Sequence, residues 1–153
     1  MLALRFYDVV LSLHVAAIVV AFGVVFTYPL VLPWLRRHHP GAMVVAHETQ
    51  ARVGRSVITP AATIALLAGV YLATDAELWG ELWVVVPFAI LVAILGLGGA
   101  VLAPTERRLA ELASSGMDSP EYDATFRREM TLSNVLAGLV LVAIFLMVTK
   151  LGT

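Results

Sequence analysis

Leu82 to Ala103 reads LWVVVPFAILVAILGLGGAVLA, 22 residues without one charged side chain and without polar–apolar alternation. As an α-helix, about 20 such residues cross roughly 30 Å of hydrocarbon, the core thickness of a bilayer. Three other stretches share the pattern: Val9 to Leu35 (27 residues), Ser56 to Thr74 (19) and Leu132 to Thr149 (18). The four hold 86 of 153 residues, so all 21 charges fall in the remaining 67. A segment in hydrocarbon must satisfy its backbone hydrogen bonds internally, and these runs lack the alternation of barrel strands. The expected fold is all-α: one four-helix transmembrane bundle over 1–153.

Composition agrees, with 60% hydrophobic residues, 14% charged and a mean hydropathy of +0.91. Ten Lys plus Arg against eleven Asp plus Glu give no concentrated basic surface, so no nucleic-acid partner is expected. The absence of cysteine removes disulfides, thiolate metal sites, iron–sulfur clusters and cysteine nucleophiles. There is no nucleotide-binding glycine loop, HExxH, GxSxG or paired-carboxylate pattern, which argues against hydrolytic and ATP-driven functions. The first apolar run exceeds a signal-peptide core, and Asp8 offsets Arg5, so it reads as a retained helix.

Helix-crossing parity puts Arg5 and Lys150 on one side, and Arg36, Arg37, Arg52, Arg55, Arg107, Arg108, Arg127 and Arg128 on the other. The positive-inside rule then places both termini outside a bacterial-type cytoplasmic (inner) membrane and the arginine-rich loops in the cytoplasm. Trp34 falls at the inner boundary, Trp79 and Trp83 at the outer one. Expected helices run over about 6–35, 42–74, 82–103 and 120–150, the second and fourth extending into the cytoplasm. Pro104-Thr105-Glu106 suits the cap of a separate short helix over about 105–113, and Ser119-Pro120 an N-cap with proline at N1.

Small residues four apart allow close helix approach in lipid: Ala61, Ala65 and Gly69 in helix two, Gly96 with Ala100 and Gly99 with Ala103 in helix three. They suit a tight bundle or a homo-oligomer seam. Pro29, Pro60 and Pro87 each remove one ladder donor; Pro60 frees the carbonyl of Ser56.

His14 is the only ionisable side chain other than tyrosine within an apolar run. Such groups are costly in lipid and usually face the bundle interior. Tyr7, His14, Ala17 and Ala21 share a helix face, so the imidazole overlooks small side chains. That shelf suits a flat macrocycle whose iron the imidazole ligates, or simply a neighbouring helix, with His14 bonded to Tyr7, Tyr71 or a carbonyl. Met147 belongs to the same outer half and is a second candidate donor. At the other end His47, Glu48, Arg52, Arg55 and Glu129 form a polar collar, read as ion-paired or as a carboxylate or phosphate site. His38, His39 and His47 lack a recognised metal-ligand spacing.

Two segments carry a resemblance. LHVAAIVVAFGVVFTYP, Leu13 to Pro29, is similar to the first helix of the four-helix protoporphyrinogen oxidases of the HemJ type, of CopD-like copper-resistance proteins and of a family of uncharacterised predicted integral membrane proteins. HETQARVGRSVITPAATIALLAGVYL, His47 to Leu72, resembles their second helix through Arg52, Ile58-Thr59-Pro60-Ala61 and Gly69. The resemblance implies haem b bound by His14, with a redox or porphyrin-related role. The oxidases' third-helix histidine and lysine have no counterpart between Leu82 and Ala103, and Lys150 resembles the closing lysine of the uncharacterised relatives. The alternative is a cofactor-free accessory, transport or assembly subunit, or a copper-handling protein. The redox partner is unknown at this level.

Overall fold

The computed structural model describes residues 5–151, all of them in helices and the turns between them. The extreme termini, whose outside placement the charge bias implies, lie outside the described residues. The helices are α1 (Phe6–Phe22), α2 (Tyr28–His38), α3 (Pro40–Asp75), α4 (Leu82–Ser115) and α5 (Pro120–Thr149). Three of them, α3, α4 and α5, are long and apolar enough to cross a membrane. Their outward faces carry large apolar side chains such as Leu67, Leu141 and Val148, the last 76% exposed. A water-soluble domain does not display apolar surface on that scale, whereas a lipid-facing one must.

Two boundaries differ from expectation. The first apolar run is two helices, because the ladder is interrupted over 23–27. Pro29 has no N–H, and the chain tightens into three-residue turns there, with Val25 N–H donating to Phe22 O at 3.1 Å and Thr27 N–H to Val24 O at 3.0 Å. A Cβ at Gly23 would lie 2.7 Å from the Val19 carbonyl oxygen, so the turn needs glycine. The short helix expected over 105–113 is present but not separate; it is the end of α4, which continues through Pro104 to Ser115.

Continuity through proline has a structural cause. Pro60 and Pro104 cannot donate to the carbonyls of Ser56 and Ala100, four residues earlier. Each of those carbonyls sits inside a π-helical segment, Gly54–Ile58 in α3 and Gly98–Leu102 in α4. Widening the turn re-pairs the backbone without ending the helix. Ser119 accepts from the Tyr122 N–H at 3.1 Å and starts α5 with Pro120 in its first turn, as expected.

α1 packs along Thr59–Asp75 of α3 through a seam of Ala17, Ala21, Ala61, Ala62 and Ala65, joined by Phe22, Leu91 and Val140. The start of α3 packs on the end of α4, and Leu82–Leu97 of α4 on α5. A second cluster of Leu32, Met43, Leu109, Tyr122 and Phe126 closes the arginine-rich end. Within the chain the glycines of α4 take no part in such a seam, since a Cβ at Gly96, Gly98 or Gly99 would meet nothing within 4 Å.

Ala21 is fully buried in the α1–α3 seam. Ala21→Leu should therefore lower stability by about 1–3 kcal/mol through overpacking. Thermal unfolding in detergent, followed by helical circular dichroism, measures it; an unchanged midpoint would mean that the two helices do not meet there.

Candidate functional site

Among the described residues one cavity stands out in each half of the bundle. The first, about 90 Å³, lies in the half that holds Trp79 and is lined by His14, Gly69, Phe88, Leu91, Ile144 and Met147 among others. His14 is 9% exposed, and its Nδ1 lies 2.7 Å from the Ala65 carbonyl oxygen. A carbonyl only accepts, so Nδ1 carries a proton and donates, which in the neutral ring puts the lone pair on Nε2. Gly69 is what lets the ring lie flat on α3: a Cβ there would come 3.1 Å from His14 Cε1. Of the three partners expected for His14, the carbonyl is the one found.

The other residues expected near His14 divide. Met147 lines the same cavity and is half-buried. Ala17 and Ala21 are packed against the alanines of α3, so the shelf receives a neighbouring helix. Tyr71 faces away, its ring edge-on to Phe6 and its hydroxyl 3.5 Å from Asp75 Oδ1. Among the described residues no three His, Asp or Glu side chains converge as a metal-ligand set.

The polar collar is a buried layer with an exposed fringe. Glu48, Arg52 and Arg55 are exposed, whereas His47 and Glu129 are fully buried and Gln50 nearly so. His47 Nε2 and the Tyr122 hydroxyl share a hydrogen bond of 3.0 Å, and Gln50 Nε2 donates to Glu129 Oε1. Arg36 pairs with Asp123 and lies over the Tyr122 and Phe126 rings, 5.1 and 4.9 Å from their centroids, tying α2 to α5. The remaining ion pairs among the described residues join Arg108 to Glu111 and Glu121. Tyr28 Oη, His47 Nδ1, Gln50 Oε1 and Glu129 Oε2 are buried with no partner in the protein. Such a concentration of unpaired buried atoms is unusual and calls for a functional explanation.

The second cavity, about 320 Å³, abuts this layer. Both π segments line it through Gly54, Arg55, Ile58, Gly98, Gly99 and Leu102, together with Gln50, Glu106 and Ser133. Phe22, Ile94 and Val140 line both cavities and separate them. Sequence reasoning missed this site, although a signal was present: GRSVITP and GGAVLAP, Gly54 to Pro60 and Gly98 to Pro104, are the same glycine–proline spacing in two helices. Each marks a helix that widens on the side where its glycine leaves space.

No family profile, curated protein or solved structure matches this chain.

The His14 geometry fixes a tautomer that can be read directly. In ¹⁵N spectra of the purified protein, His14 Nδ1 should be protonated and hydrogen-bonded. Gly69→Leu should displace the ring, abolish that signature and cost about 1–3 kcal/mol of stability by overpacking; an unaltered spectrum in the variant would refute the packing of His14 on Gly69.

Proposed function

We propose that this chain is a small integral membrane protein that binds haem b through His14 and serves a redox or porphyrin-related role. One observation carries the reading: Nδ1 is anchored on a backbone carbonyl, which leaves Nε2 as the donor atom of a residue lining an apolar cavity. Histidines that ligate iron are commonly held this way, with the other ring nitrogen donating to a carbonyl. Met147, on the wall of the same cavity, supplies a second donor of a type that haem iron accepts.

In this reading all four apolar runs cross the membrane, α1 with α2 making the first crossing. Both termini lie outside a bacterial-type inner membrane, and the arginine-rich end is cytoplasmic. The donors fit haem, but the space has to be made. The cavity is about 90 Å³, below the roughly 300–1,000 Å³ of ordinary ligand sites. Its walls on α4 and α5 are mostly aliphatic, so separating them loses packing contacts rather than hydrogen bonds. Haem would supply the redox chemistry, while the chain orients one imidazole and excludes water.

The small volume favours a second reading, a cofactor-free accessory, transport or assembly subunit in which His14 is structural. Expression with haem supplied, followed by purification in detergent, separates the two. The haem reading requires a Soret band near one haem per chain, lost in His14→Ala, with the variant still helical. A colourless protein, or a band indifferent to His14→Ala, supports the cofactor-free bundle, and copper in elemental analysis would support a copper-handling relative.

A further inference from the structure

The second cavity differs from the first in having a buried carboxyl group in its wall. Glu106 is 92% buried by its 8% exposure, lines the cavity, and makes no hydrogen bond or ion pair to the protein among the described residues. Its Oε2 lies 3.7 Å from where a Cβ on Gly54 would be, so the carboxyl rests against the π segment of α3. Gln50, 2% exposed, also lines the cavity and presents an Oε1 without a partner, its amide nitrogen being committed to Glu129. Tyr28 and Ser133 add two hydroxyls. The wall at the bundle centre is apolar, made by Phe22, Ile94, Leu136 and Val140, and Thr59, Arg55 and Arg107 complete the lining.

A carboxylate and an amide oxygen both accept, so the group that satisfies them must donate. Burying a carboxylate without a cation is costly, and a donor that brings positive charge answers both needs. About 320 Å³ falls in the range of small-molecule sites. Arg55 and Arg107 also line the cavity but are exposed, where water screens their charge more than that of the buried Glu106.

We infer that this cavity binds a small primary amine with an apolar body, its ammonium held by Glu106 and Gln50 and its body set between Phe22, Ile94, Leu136 and Val140. The two π segments are what make the site: they widen α3 and α4 where the ligand sits, and glycine at 54, 98 and 99 keeps the walls bare. The site makes no use of His14, although Phe22, Ile94 and Val140 are walls that it shares with the first cavity.

The test is calorimetric titration of the full chain in nanodiscs of zwitterionic lipid, with empty discs subtracted. The probes are phenethylammonium and the neutral phenethyl alcohol. The ammonium should bind one per chain, about tenfold or more tighter than the alcohol, as a charge-assisted bond to a buried carboxylate requires. Glu106→Gln should erase the preference, and His14→Ala should leave it intact. Gly54→Leu keeps the carboxyl but fills the space beside it, and should weaken the amine also; it decides the matter if Glu106→Gln does not fold. Equal affinities for the two probes, a preference that survives in folded Glu106→Gln, an amine affinity unchanged in folded Gly54→Leu, or no saturable binding would overturn the proposal.

Discussion

Backbone groups in hydrocarbon have to find partners within their own helix or a close neighbour; Pro87 deletes one donor within the regular α part of α4, and Pro60 and Pro104 each delete one from a long helix. For Pro60 and Pro104 the helices answer in the same way, by widening a turn around the orphaned carbonyl, at Gly54–Ile58 and at Gly98–Leu102. Both widened turns face one cavity. That cavity divides the core into an alanine-rich seam in the apolar half and an aromatic cluster at the arginine-rich end, with a layer of Gln50, Glu106 and Glu129 beside it.

The alanine seam sets the other half. Because Ala17, Ala21, Ala61 and Ala65 hold α1 close to α3, the His14 ring comes within reach of the Ala65 carbonyl, and Gly69 gives it room to lie there. The close approach and the tautomer are one event. It leaves a single nitrogen lone pair on a residue that lines an apolar cavity, a chemically distinctive position at that depth.

The apolar runs, the start of α5 at Ser119-Pro120 and the inward turn of His14 were legible in the sequence, because length, capping chemistry and the cost of a charge in lipid act locally. Other features were not. Pro104 looked like a helix start, since proline favours a first turn; here a π segment precedes it and the helix runs on, and the signal was the glycine six residues before, as for Pro60. The first run looked continuous because one glycine and one proline, Gly23 and Pro29, rarely stop a membrane helix. Collar residues His47 and Glu129 looked like surface charges; their burial depends on α3, α4 and α5 converging at one end, which no local pattern reports.

A chain with no cysteine of its own is well suited to the most direct test of this architecture. Single cysteines at Gly99 and Ser133, on or beside the cavity between the widened turns, can be compared in membranes with cysteines at the lipid-facing Val135 and Leu141, 54% and 57% exposed. A water-soluble thiol reagent added from the arginine-rich side should label the first pair readily and the second pair little. Equal labelling of all four, or labelling of Val135 and Leu141 alone, would contradict a water-reachable cavity built by the paired π segments.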